Sequence, residues 1–404
     1  MRMKFNKSGQ LLLVSAASLL VAGLVTACGT LTVDFVFVAC SKAAGANNYG
    51  ELDVFEVNSE SGYMRQIPTS PFPSGGRDPV AEAVSSDNAD LYVVNQDDNS
   101  IVQFIIGNDG KLYPQNTVNT PGIYPLAVAV NGSNLFVLDT YEPLPTCSTA
   151  APCSGSIAVF PIRAASGTTP SGELGTPVAN GSLNYWALSL PGKPNDVLLP
   201  TGITVLASGA DVYVSAYDTT ANIGYVFGFA ATSGGSLTPL NGGVPFAAGT
   251  YPSAIASDPS SSFVYVTDSS TGKVLGYSVQ SGSLSPLSGS PYQAGNQPTS
   301  LAVDSSGKYL YVANGEDSTV TAYSIASGVL TSLGSYTTGL QPVAIGIDPS
   351  TNHFVYTANY LGGNVSGFQL NPNDGSLLNT QNSPYAANPQ PVAIAAIPHG
   401  SQKK

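Results

Sequence analysis

Asn95, Asp139, Asp268, Asn314 and Asn359 each close a tetrad of the Tyr-Val-x-Asn kind, and a short polar segment follows each of them. Those segments, with the one after the tetrad that ends at Ala216, add Asp97, Asp98, Glu142, Asp218, Glu316 and Asp317, so carboxylates and amides gather at equivalent points along the chain. Oxygen-rich groups repeated in this way can do one of two things. Converging side chains can hydrogen-bond a polyol or sugar-like ligand, or hold a hard divalent cation through oxygen. Alternatively, each caps the turn that follows it by bonding nearby backbone N–H groups. Asn95, Asp97, Asp139, Asp268, Asn314 and Asn359 form the candidate ligand-binding set; no dedicated metal site and no cofactor beyond such a cation is expected.

Acid–base chemistry has few carriers. The two histidines, His353 and His399, fall in a turn and in the C-terminal tail, which separates them from the polar tetrads. The chain has no Gly-x-Ser-x-Gly elbow and no His-x-x-x-His spacing, so a Ser-His or metal-activated nucleophile is not encoded locally. Proton transfer would fall to a carboxylate working beside a cation, and Arg77 with Glu316 is the candidate pair.

Residues 1–27 have a basic start (Arg2, Lys4, Lys7), an apolar run from Leu11 to Val25, and small residues before Cys28. The run is too short for a membrane span and reads as an export signal. Val25-Thr26-Ala27-Cys28 resembles a bacterial lipobox, which implies lipidation at Cys28. The resulting protein would be anchored to a membrane and face the periplasm or the cell exterior. Loss of the leader removes three cations and no anions, taking the formal charge from -12 to -15, a surface that repels nucleic acid. In an exported chain, Cys147 and Cys153 with no histidine nearby are expected to form a disulfide, leaving Cys40 as a buried thiol.

The elements that must position these residues are legible from a repeat. Prolines at 79, 125, 200, 252, 298, 342 and 391 open apolar segments, spaced 46, 75, 52, 46, 44 and 49 residues apart. After the tetrads come aromatics at Phe55, Phe104, Phe160, Phe229, Tyr277, Tyr323 and Phe368, then Gly62, Gly110, Gly172, Gly235, Gly282, Gly328 and Gly375. Each unit reads as four short strands, A to D, and units of this length are propeller blades. The chain starts with strands B to D and ends with a lone strand A, so one shared blade must close a ring of seven. A single domain over 28–398 is expected, with insertions at about 140–156 and 175–199 and a tail at 399–404; the insertions carry Trp186, the only tryptophan.

The tetrads, the Asp turns at Asp258, Asp304 and Asp348, and the segment Asn314-Gly315-Glu316-Asp317-Ser318-Thr319-Val320 resemble the seven-bladed lactonase-type propellers related to 6-phosphogluconolactonase and the muconate-lactonizing enzymes. The resemblance spans nearly the whole mature chain. It implies histidine just after the strand A proline, with arginine and glutamate around one pocket. Here those positions hold Val80, Leu126, Thr201, Ser253, Thr299, Val343 and Val392, and the mature chain has only Arg65, Arg77 and Arg163. A monomeric binding or scaffold module for a small polar ligand or an envelope protein is therefore expected. The alternative is a divergent lactonase acting on an uncharged lactone at the top of the ring.

Overall fold

A computed structural model describes residues 32–45, 47–143, 147, 152–164, 171–349 and 353–401; Cys28 and the leader lie outside the described residues. Seven antiparallel sheets each follow a four-strand path, and four of them carry one further two-residue strand. Blade 1 contains strand A at Pro391–Pro398, B at Thr32–Ala44, C at Tyr49–Asn58 and D at Met64–Gln66. The ends of the chain therefore pair with each other, with Phe37 opposite Ala395 and Asp34 opposite Pro398. In blade 2 the strands are Pro79–Val84, Asp90–Asn95, Ser100–Ile106 and Leu112–Asn119. Blades 3 to 7 repeat the order, with strand A at Ile123–Asn131, Leu198–Val205, Pro252–Ser257, Pro298–Val303 and Pro342–Ile347. Each strand A packs against the next, and the ring closes through 391–398, which touches both 342–347 and 79–84.

The B strands are covered on both faces by neighbouring blades, which is why they read as unbroken apolar runs instead of alternating ones. In blades 6 and 7, Tyr309–Asn314 and Phe354–Asn359 are buried at every position. The tetrad tyrosine has a separate task. Tyr92, Tyr213, Tyr265 and Tyr311 donate their hydroxyls to the carbonyls of Gly172, Gly282, Gly328 and Gly375 in the following blade, at 2.8, 3.0, 2.9 and 2.9 Å. Those glycines turn from strand C to strand D at positive φ, and at Gly328 (φ 82°) an added Cβ would lie 2.4 Å from the Phe263 ring. Two features of the repeat, tyrosine and glycine, are thus one inter-blade stitch.

Blade 3 departs from its siblings. Its strand D is only Trp186–Ala187, and Trp186 is 5% exposed within a cluster that includes Ile157, Leu188 and Leu198. The tryptophan belongs to the core and offers no surface to a ligand. Cys147 and Cys153 are joined by a disulfide, and Cys40 is a free, fully buried thiol.

Candidate functional site

Strands A begin, and strands B end, on one face of the ring, here called the top. At its centre stand the residues that immediately precede the strand A prolines. Asp78, Tyr124, Gln297, Gln341 and Gln390 all adopt left-handed backbone, with φ of 52, 56, 52, 56 and 62°. This region costs a non-glycine residue about 1–2 kcal/mol, and helical φ/ψ is already disfavoured before proline. What holds them there is a repeated bond. The carbonyls of Asp78, Gln297, Gln341 and Gln390 accept the N–H groups of Gln96, Gly315, Tyr360 and Ser41, each just past a tetrad, at 2.8–2.9 Å. Tyr251 and Leu199 occupy the same position in the remaining blades. The ring therefore presents three amides over blades 6, 7 and 1, then Asp78, Tyr124, Leu199 and Tyr251. Tyr124 meets Tyr141 edge-on at 6.2 Å, and Tyr251 leans on Tyr217 at 4.6 Å. Burial, and then Asp97, pushes the Asp78 carboxyl above its ordinary value.

The tetrad residues lie behind this ring and are buried. Asn95, Asp139, Asn314 and Asn359 are 0% exposed and Asp268 is 2%. Asp268 accepts the backbone N–H groups of Thr250, Tyr251 and Ser270, which outweigh its burial and hold it below its ordinary value. Asn314 accepts from Gly295 N–H and donates to Thr319 and Thr321; Asn359 donates to Asn364 and Ser366. Asp97 is an exposed turn residue whose carbonyl accepts from Arg77 Nη2. The side chains of Asp139, Asp268, Asn314 and Asn359 are spent on bonds to nearby strands and turns, and the buried set does not form an open oxygen ring. Among the described residues no three His, Cys, Asp or Glu side chains are grouped to hold a metal ion, because each carboxylate belongs to its own blade.

Arg77 and Glu316 are not brought together: one borders blade 2, the other is exposed on blade 6, three blades away round the ring. Arg77 is bound instead to Asp98, with its backbone N–H on Oδ2 and Nε on Oδ1, both at 2.7 Å. Asn296 bonds Asp317 in the same way from the same register, at 2.7 and 2.9 Å. The pair is thus the blade 2 copy of a loop clamp. Burial alone would raise Asp98, but the Arg77 bonds and charge hold it below its ordinary value.

Directly after the prolines, the hydroxyls of Ser253 and Thr299 donate to the Pro298 and Pro342 carbonyls of the next blade, and Thr201 bonds Ser215. Val80, Leu126, Val343 and Val392 complete that level, so it has a hydroxyl arc and an aliphatic arc. His353 lies against Phe354 and His399 against Phe35, both at the opposite face.

Sequence reading missed Glu82, the one charged residue in the seven A strands. It stands three residues after its proline, where the other blades have Val128, Ile203, Ile255, Leu301, Ile345 and Ile394; aligning the units on proline would have exposed it. Both carboxylate oxygens are buried without a hydrogen-bond partner, and burial pushes the group up to about 8, with only the nearby Ala395 N–H drawing it down. Other unpartnered buried oxygens and nitrogens, among the described residues, fall in the same sector. They belong to Asn95, Ser100 and Gln103 of blade 2, Asp139 and Ser156 of blade 3, and Asp218 of blade 4. Asp139 is raised by burial to about 7 although Thr120 and the Gly122 N–H pull it down.

Comparison with known proteins agrees with this architecture. Residues 211–328 and 281–399 match the family model described as lactonase, 7-bladed beta-propeller. No curated protein matches the chain. Among solved structures, a candidate 6-phosphogluconolactonase of Bacteroides fragilis superposes with a TM-score of 0.68 at 19% identity, covering 91% of this chain and 99% of that one. The periplasmic gluconolactonase of Pseudomonas aeruginosa gives 0.64 at 19%, with 90% and 99% covered. A protein of unknown function from Desulfotomaculum acetoxidans gives 0.62 at 14%, with 91% and 99% covered. At these identities the likeness is one of fold.

Proposed function

This chain is a seven-bladed propeller whose residues 211–399 match the lactonase family model, and we propose that it is a lactonase-type propeller working as an extracytoplasmic, lipid-anchored binding or scaffold module whose top face receives a small polar ligand or an envelope protein. The observation that carries this reading is the ring of pre-proline residues at the mouth. Five blades bear the cost of left-handed backbone at this level, and what they display is mostly amide and phenol. Such groups donate, accept and stack at neutral pH without moving protons. Strain retained at equivalent positions in this way is the mark of a surface kept for contact. Thermal shift and calorimetry with sugars, lactones and divalent cations test the reading directly. A midpoint rise that is lost in Gln297→Ala with Gln341→Ala supports it; turnover of a lactone by the wild-type protein would overturn it.

The second reading is a divergent lactonase, favoured by the raised carboxyl of Glu82 at the inner wall of the ring, the kind of group that can transfer a proton near pH 7. It predicts hydrolysis of glucono-1,5-lactone that Glu82→Gln abolishes, with Arg77→Ala and Glu316→Gln as the outer-rim comparisons. The anchor is tested separately: Cys28→Ala should release the protein from membranes.

A further inference from the structure

We propose that the top-face cleft in the seam between blades 1 and 2, away from the central mouth, is a binding site for an uncharged polyhydroxylated ligand of the sugar or polyol class. In blades 6 and 7 the tetrad asparagine satisfies its amide on the side chains five and seven residues later: Asn314 on Thr319 and Thr321, Asn359 on Asn364 and Ser366. In blade 2 the corresponding residues are Ser100 and Val102. The hydroxyl at the second position has become a methyl group, and the consequence is visible. Both amide atoms of Asn95 (0% exposed) and the hydroxyl of Ser100 (3% exposed) are buried with no partner in the protein. Buried polar groups left in that state are costly, about 1–3 kcal/mol each, unless something outside the chain completes them.

The space for that completion is adjacent. Ser100 lines a cleft of about 430 Å³ together with Asn47, Tyr49, Arg77, Thr117 and Asn119. Asn95 itself is sealed beneath Gly76, so Ser100 is the group of the pair that borders the cleft. A Cβ on Gly76 would lie 2.6 Å from the Asn95 amide carbon, and one on Gly75, itself part of the cleft, 3.0 Å from Val102. The volume is within the range of small-ligand sites, which is about 300–1,000 Å³.

The lining selects the ligand class by elimination. An apolar molecule would leave Ser100 without a partner. Arg77 and Asp98 both line the cleft, so an anion would have to compete with Asp98 for Arg77 and a cation with Arg77 for Asp98. Arg77 and Asp98 already neutralise each other and are fixed by the loop clamp, so they form a preorganised, uncharged rim. What remains are two hydroxyls, two carboxamides and the Tyr49 ring, groups that both donate and accept and one that can stack. Neutral hydroxyl-rich rings match that set.

The site is distinct from the central mouth, and the experiment separates them. Glucose, galactose, maltose and myo-inositol are titrated against the full chain by saturation-transfer NMR and thermal shift. Variants are Ser100→Val and, in case that core change disturbs folding, the exposed Asn119→Ala, with the mouth double variant Gln297→Ala, Gln341→Ala alongside. The expected result is that at least one of these probes binds the wild-type protein, at least tenfold more weakly in Ser100→Val or Asn119→Ala, and unchanged in the mouth variant. Loss in the mouth variant with retention in both cleft variants would overturn this inference while keeping the central-mouth reading. Absence of binding by all four probes would overturn it as well, assigning the cleft to ordered water.

Discussion

Glu82 allows the sharpest test at the level of a single residue. Its folded value of about 8 lies above the ordinary 4.5. The folded state therefore holds a proton that the unfolded state has released across that interval. The stabilising contribution is complete below about pH 4.5, falls as pH rises, and is gone by about pH 8, a loss on the order of 3 kcal/mol at pH 7. Glu82→Leu, which restores the side-chain type of the other blades, should raise the urea midpoint at pH 7–8 and flatten the acid-to-neutral slope. A Val102→Thr exchange in blade 2 should likewise gain about 1 kcal/mol by giving the Asn95 amide the acceptor it has in blades 6 and 7. At this scale the sequence was a partial guide. It shows Asn or Asp at five of the seven tetrad ends but not that the strand pairing turns them inward, since a side chain's target is set by the strands and loops folded around it. The residue preceding each proline was visible too; only the backbone reveals that it is held at positive φ.

Between elements, the tyrosine-to-glycine stitch sets how one blade grips the next. Tyr311→Phe leaves the Gly375 carbonyl without its donor, and a cost of about 1–2 kcal/mol is expected in chemical denaturation. Relaxing the mouth should do the opposite. Gln341→Gly removes the left-handed penalty and is expected to raise the thermal midpoint while removing an amide from the ring. Strand order, blade count and the shared blade were all readable because prolines, tetrads and glycines recur in register. The fate of Trp186 was not. Irregular spacing in blade 3 locates an insertion, but whether its apolar residue folds inward is decided by the cluster around Ile157 and Leu198, which lies outside any repeat.

For the ring as a whole, both seams of the closing blade contain a buried acid. Asp34 is raised to about 8 by burial and then by Asp348 of blade 7, with Tyr356 drawing it down, while Glu82 stands at the seam with blade 2. Above about pH 8 both carry charge in a poorly solvated place, so this blade should be the first to open. Hydrogen exchange compared at pH 6 and pH 8.5 should show protection lost first in 32–44 and 391–398; uniform loss over all seven sheets would contradict it. The lipid anchor, as proposed, has a geometric consequence. Strand B of blade 1 starts on the face opposite the mouth, and the four residues from Cys28 to Thr32 reach at most about 14 Å. The mouth should therefore face away from the membrane.

The shared blade also imposes an order in time. Strands 32–44, 49–58 and 64–66 are the first part of the ring to be synthesised, and their inner partner, 391–398, is the last. Until it arrives, the edge from Asp34 to Cys40 has its ladder groups unpaired, which is a template for association with other chains. This contact is the widest in sequence, and the ring cannot close before residues 391–398 have been made. A chaperone that shields this one early edge would protect the nascent protein most effectively, and stalling synthesis near residue 390 should leave a product that aggregates where the full chain does not.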